Sequence, residues 1–118
     1  MIQIKRVYDP PAQIDGKRIL VERLWPRGMR KDALRLDDWL KDTAPSTELR
    51  KWFSHDPVKW AEFKQRYQAE LDKHPEAWQP ILEAAKTGNV TLLFSSHDTE
   101  HNNAAALKIY LERRSESA

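Results

Sequence analysis

The chain has 118 residues, of which 40% are hydrophobic and 32% charged, and its formal net charge is +2. This length suits one compact core, so we expect a single domain over residues 1–118. Cysteine is absent, which excludes disulfides, thiolate metal sites and cysteine nucleophiles. No run approaches the ~18 apolar residues of a membrane helix, and residues 1–6 lack a secretory apolar stretch, so a cytoplasmic location is expected.

The first third of the chain predicts short strands separated by turns. Residues 2–8 favour a strand that Asp9-Pro10-Pro11 stops, because proline cannot donate to a sheet ladder. Residues 17–25 contain consecutive apolar positions, which are typical of a centrally buried strand. Residues 28–37 indicate a loop or an irregular short helix. For residues 38–42 the pattern allows a short strand or one helical turn, and both stay open.

Helix signals dominate the second part of the chain. Ser46 or Thr47 can cap a short helix, and Asp56-Pro57 supplies a cap and a first-position proline for the next one. Residues 76–87 and 100–113 then repeat apolar side chains at the three- and four-residue spacing of further helices.

The most informative feature is a buried strand followed by a polar segment. Residues 90–94 are apolar and partly β-branched, and hydroxyls, imidazoles, carboxylates and amides follow them in residues 95–103. Asp98 or Thr99 is expected to cap the last helix. The element order predicts an α/β fold, a small single domain with a mostly parallel sheet of about three to four strands packed by helices. Open α/β sheets usually keep their sites at such strand ends.

Three predicted strand ends carry side chains suited to an anionic ligand. Because the carboxyl ends of parallel strands face the same side, these ends are expected to converge on one crevice. Arginine forks match phosphate or carboxylate geometry, and the N–H groups at the start of the last helix add positive potential. The predicted ligand-binding residues are Tyr8, Asp9, Arg23, Trp25, Arg27, Ser95, Ser96 and Asn102.

His97 and His101 are the candidate catalytic residues. An imidazole titrates near neutral pH and can move a proton, with Ser95 or Ser96 as a hydroxyl donor. Zinc ligation is a minor alternative, since no third ligand is evident, and a purely structural histidine is the commoner outcome. His55 either belongs to a loop that meets the same region or caps a turn. We predict no metal site and no cofactor.

Basic and aromatic residues allow a second interpretation. Residues 1–35 carry nine Lys and Arg against four Asp and Glu, whereas the remainder carries eleven against fourteen. Such an excess can attract nucleic acid, although scattered basic residues are more often simply solvated. Trp25, between two arginines, predicts either a structural plug or a wall of a ligand pocket. Apolar neighbours or helical faces predict core positions for the other tryptophans, Trp39, Trp52, Trp60 and Trp78.

Four stretches carry a resemblance to a known family: Arg6-Val7-Tyr8-Asp9, Arg23-Leu24-Trp25-Pro26-Arg27-Gly28, residues 44–57 and His101-Asn102-Asn103-Ala104. They resemble the YeaO-like family, bacterial domains of unknown function 488, over nearly the whole chain. The resemblance implies a small cytoplasmic α/β domain and brings no established activity, cofactor or catalytic residue. Distant relatives place a cysteine in the last strand and a His-Arg pair near the closing helix. This chain has Ser95-Ser96 and His101-Asn102 at those positions, so any thiol chemistry of the distant relatives is not expected here.

The sequence therefore predicts that a basic crevice at the strand ends binds a small anionic ligand, such as a nucleotide or a phosphorylated metabolite. Turnover of that ligand stays open. The alternatives are a nucleic-acid-binding accessory module and a protein-interaction domain without catalysis. No Gly-rich phosphate loop, helix-turn-helix signature or nucleophile elbow decides among them. No membrane partner is expected, and the pattern predicts no oligomeric state.

Overall fold

A parallel β-sheet forms the centre of the structure. The computed structural model describes the backbone of residues 1–117 and the side chains of residues 1–115. Its strands are β1 (Ile2–Arg6), β2 (Lys17–Leu20), β3 (Asp38–Trp39) and β4 (Val90–Phe94). Its helices are α1 (Lys31–Leu34), α2 (Thr47–Phe53), α3 (Trp60–Asp72), α4 (Pro75–Ala85) and α5 (Asn103–Ser117). Short 3-10 turns are formed by Gln13–Asp15, Lys41–Thr43 and Pro57–Lys59.

The strand order is β1-β4-β2-β3, and every pairing is parallel. Leu92 of β4 lies opposite Ile4 on one side and Ile19 on the other, so β4 is central. This arrangement confirms the predicted α/β class with a parallel sheet. It also brings the carboxyl ends of β1, β4 and β2 to one edge of the sheet.

The two faces of the sheet are covered differently. Apolar side chains of α2 to α5 pack with those of β1, β2 and β4 on one face. On the other face, Leu34 of α1 packs with Val7, Leu20 and Leu93. Fully enclosed side chains such as Leu92 each contribute about 1.5–3 kcal/mol relative to remaining exposed. The helical face therefore supplies most of the stabilising burial.

Strand β2 is shorter than the sequence predicts. The backbone N–H of Val21 still donates to the carbonyl of Leu93, but the chain then leaves the sheet. The carbonyl of Glu22 accepts a hydrogen bond from Trp39 Nε1, and Trp25 Nε1 donates to the carbonyl of Met29. These bonds draw residues 22–29 over β3, so the prediction of a strand up to Trp25 is wrong.

The undecided residues 38–42 adopt both predicted conformations in succession. Asp38–Trp39 pairs with β2, and Lys41–Thr43 forms the 3-10 turn that follows. Of the two predicted caps, Ser46 and Thr47, Ser46 begins α2, because its Oγ accepts from the N–H of Leu49 at 3.1 Å. The short strand and turn thus direct the chain toward the helical face.

Candidate functional site

A cavity of about 300 Å³ opens at the carboxyl ends of β2 and β4. Its walls come from residues 22–27 after β2, residues 44–45 before α2, the end of α2, and the segment that joins β4 to α5. This is the edge at which parallel sheets generally hold ligands. Of the predicted ligand-binding residues, those lining the cavity are Arg23, Trp25, Arg27, Ser95, Ser96 and Asn102.

Arg23 and Trp25 are held in place by backbone carbonyls. Arg23 Nη2 donates to the carbonyl of Ala44 at 3.2 Å, and Trp25 Nε1 donates to that of Met29 at 2.7 Å. The Trp25 ring also packs edge-on against Trp39, with ring centroids 5.4 Å apart. Trp25 is therefore a structural plug and a cavity wall at once, and both predicted alternatives apply.

Two further arginines, Arg27 and Arg50, line the cavity with exposed side chains. Neither guanidinium forms a hydrogen bond or an ion pair with the described residues. Arginine donors left unpaired around a concave surface are available to a phosphate or carboxylate. The sequence had suggested Arg27 but not Arg50, which is on α2 and reaches the site only through the fold.

Glu22 is the principal site residue that the sequence analysis missed. It lines the cavity, and its Oε2 accepts a hydrogen bond from Ser95 Oγ at 3.1 Å. Its Oε1 is shielded from solvent and accepts no hydrogen bond from the described residues. Burial raises the pKa of Glu22, while the hydrogen bonds from Ser95 and the charges of Arg50 and His55 oppose that rise. The cavity thus combines cationic groups with one poorly solvated carboxyl.

His55 reaches the cavity through an unusual turn after α2. Ser54 and His55 have φ angles of 47° and 58°, so two consecutive non-glycine residues lie in the left-handed region. Such residues each cost of order 1 kcal/mol or more and tend to cluster at functional sites. Their conformation ends α2 and places His55 in the cavity wall. The sequence allowed His55 either to belong to a loop that meets the site or to cap a turn, and the structure supports the first alternative.

Asn102 is buried and serves as the cap of α5. Its Oδ1 accepts from the N–H of Ala105 at 2.8 Å, and its Nδ2 donates to the carbonyl of Asp98 at 2.9 Å. The predicted helix cap at Asp98 or Thr99 is therefore wrong, and the helix begins three residues later than predicted. Asp98 closes the preceding turn instead, since its Oδ1 accepts from the N–H groups of Glu100 and His101. These hydrogen bonds lower the pKa of Asp98.

Four of the predicted site residues do not line the cavity: Tyr8, Asp9, His97 and His101. Tyr8 donates through its hydroxyl to the carbonyl of Arg27 at 2.9 Å, so it supports a cavity-lining segment from outside. His97 is exposed, with its Nδ1 3.4 Å from Arg6 Nη2. His101 Nδ1 lies 3.0 Å from Asp98 Oδ2. In the described part of the chain, no three His, Asp or Glu side chains are grouped so that they could hold a metal ion.

The His101 ring packs edge-on against Trp60, with ring centroids 5.3 Å apart. His101→Gln keeps the hydrogen bond to Asp98 but loses this aromatic contact, which is worth about 1 kcal/mol. We expect a small loss in urea-unfolding stability and unchanged binding of any cavity ligand by calorimetry. A tenfold loss of affinity in this variant would instead place the imidazole at the ligand.

Comparison with known proteins gives matches along the full chain. The family model described as "Inactive DUF488-N3 subclade" matches residues 1–118. The uncharacterized protein YeaO of Escherichia coli is 49% identical over 110 residues, covering 93% of this chain and 96% of YeaO. The uncharacterized protein Rv3073c of Mycobacterium tuberculosis is 50% identical over 116 residues, covering 96% and 95%. No solved structure matches the chain.

Proposed function

The chain belongs to the YeaO-like DUF488 family, within the inactive DUF488-N3 subclade, and we propose that it binds a small anionic ligand without turning it over. The observation that carries this proposal is the set of arginines around one cavity at the carboxyl edge of the sheet. Arg27 and Arg50 have exposed side chains, and neither guanidinium forms an ion pair or a hydrogen bond with a carboxylate of the described residues. A phosphate or carboxylate group fits this environment best.

Two observations favour binding over turnover. The family description names an inactive subclade, and His97 and His101 are outside the cavity lining. His55 is the histidine in the wall, but no nucleophile hydrogen-bonds to it among the described residues. Proton transfer by His97 or His101 remains a prediction from the sequence. In the function proposed here, neither histidine contacts the ligand in the cavity.

Part of the basic excess of the first third is paired within the fold, which weakens the nucleic-acid alternative. Lys5 and Arg18 both pair with the buried carboxylate of Asp15. Ion pairs of this kind leave fewer basic groups for a phosphate backbone. A small ligand needs only the few arginines that face the cavity.

Binding can be tested by thermal shift and calorimetry with ribose phosphate, inorganic phosphate and nucleoside monophosphates. A ligand that binds the folded state raises the melting temperature. We expect Arg27→Ala to weaken binding about tenfold to a hundredfold, because it removes charge-assisted hydrogen bonds worth about 1.5–3 kcal/mol. The matched control is Arg30→Ala, an exposed arginine outside the cavity that should bind like the parent.

The same titrations separate the two partner classes. Nucleic-acid binding would fall steeply with salt, by a slope of roughly 0.7 to 0.9 per neutralised phosphate, whereas a small anion releases few counterions. We expect no retention of DNA or RNA in a gel shift at low salt. If no phosphorylated compound binds at millimolar concentration while nucleic acid does, the small-ligand proposal is wrong.

The cytoplasmic location expected from the sequence remains a prediction. No helix within residues 1–117 is long and apolar enough to cross a membrane. We propose the cytoplasm as the compartment, because that is where phosphorylated metabolites and nucleotides are abundant. Fluorescent tagging and cell fractionation would check it.

A further inference from the structure

The cavity contains a carboxyl group that a purely anionic ligand would leave unsatisfied. Glu22 Oε2 is bonded to Ser95, but Oε1 has no donor and is shielded from solvent. A buried acceptor without a partner costs free energy comparable to a lost hydrogen bond, and more when the group is charged. Such an atom in a binding cavity indicates a missing donor.

The backbone of Glu22 is fixed by the fold, and its carboxyl must rotate to turn the shielded Oε1 toward a ligand in the cavity. Its backbone carbonyl accepts from Trp39 Nε1 at 2.6 Å, and its carboxyl is tied to Ser95 at the end of β4. The neighbouring strand ends therefore present the carboxyl at the cavity wall. Arg50 and His55 line the same cavity, but neither forms a hydrogen bond with Glu22.

The rest of the lining suits a planar ring. Trp25 supplies a partly exposed aromatic surface, the core residues Phe53 and Phe63 close the cavity from behind at 5% and 1% exposed, and Arg27 and Arg50 supply the cationic part. Ligand sites commonly combine apolar walls with a few placed polar groups that set orientation. A nucleotide has the three matching parts, which are a phosphate, a flat base and N–H groups on that base.

Resting on the proposed function, we propose that Glu22 is the specificity-determining residue of the cavity and accepts a hydrogen bond from the amino group of a nucleobase. The ligand class is then a nucleoside monophosphate with an amino-bearing base. Its phosphate binds the arginines and its base lies against Trp25. A carboxylate that accepts an N–H bond discriminates strongly against an analogue that lacks the donor.

The test compares nucleotides that differ in one amino group. Adenosine monophosphate and 2-aminopurine riboside monophosphate carry an amino group, at different positions, and purine riboside monophosphate carries none. We expect at least one amino compound to bind the parent protein about tenfold or more tightly than purine riboside monophosphate, measured by calorimetry.

Glu22→Met removes both oxygens at similar side-chain volume and should abolish that preference. Glu22→Gln keeps a weaker, neutral acceptor and should retain part of it, which provides a second variant should the first fold poorly. Ribose phosphate is the internal control, because it lacks a base and should bind Glu22→Met as well as the parent or more tightly.

The outcomes distinguish the two proposals. The role of Glu22 is overturned if the unmodified protein binds purine riboside monophosphate as tightly as the amino-bearing nucleotides. It is also overturned if Glu22→Met keeps the preference for an amino-bearing base. Either result leaves anion binding intact. Failure of ribose phosphate and all nucleotides to bind overturns the proposed function, and the role of Glu22 with it.

Discussion

Replacing Gly16 by alanine is expected to lower the free energy of unfolding by about 4 kcal/mol, which is the sum of backbone strain and overpacking. Gly16 has φ 62° and ψ −132°, a conformation that residues with a Cβ rarely adopt. An added Cβ would lie 2.2 Å from the carbonyl oxygen of Asn89. That carbonyl accepts the N–H of Lys17, so backbone on both sides must move.

Urea unfolding followed by tryptophan fluorescence would measure this loss. Gly28→Ala is the matched control, because Gly28 also has a positive φ, of 75°, but an added Cβ there meets nothing within 4 Å. It should cost only about 1 kcal/mol, the strain of a left-handed residue. Equal losses at Gly16 and Gly28 would show that strain alone, and not the close approach to Asn89, limits the substitution.

The local pattern was enough to predict most elements of this fold. Consecutive apolar residues in β2 and β4 predicted buried strands, and both occur. The carboxyl edge of the sheet could be predicted as the place of the cavity, since strand direction in a parallel sheet is itself predictable. The caps at Ser46 and Asp56 are local interactions, and the structure confirms them.

Long-range contacts explain what the sequence could not predict. Glu22 follows an apolar run directly, and nothing local indicates that Ser95, 73 residues later, would hold its carboxyl. Arg18 and Arg27 look alike in sequence, yet Arg18 is 4% exposed and ion-paired whereas Arg27 is exposed. The error at Asp98 has the same origin. Asp98 and Asn102 are both good caps, and only the packing of α5 decides which one begins the helix.

The second large effect is expected at Asp15, which is 4% exposed. Its carboxylate lies 3.0 Å from Lys5 Nζ and 2.6 Å from Arg18 Nη1. Asp15→Asn leaves the buried guanidinium of Arg18 without its counter-charge, and breaking such a pair costs about 3–5 kcal/mol. Asp32→Asn is the control, because the exposed pair of Asp32 with Arg30 should contribute less than about 1 kcal/mol.

The pH dependence of unfolding tests the same carboxylate independently. Burial alone would raise the pKa of Asp15, but the hydrogen bonds from the N–H of Ala12 and from Lys5 and Arg18 outweigh it, so the pKa is lowered. A lowered pKa contributes stability that is fully present above the unfolded value of about 3.9 and is lost as the pH falls through the folded value. Urea-unfolding free energies measured from pH 6 down to pH 3 should therefore fall more steeply in the parent than in Asp15→Asn. Parallel curves for the two proteins would mean that Asp15 carries no such charge-dependent stability, and that the carbonyls of Leu34 and Arg35 are sufficient to satisfy Arg18.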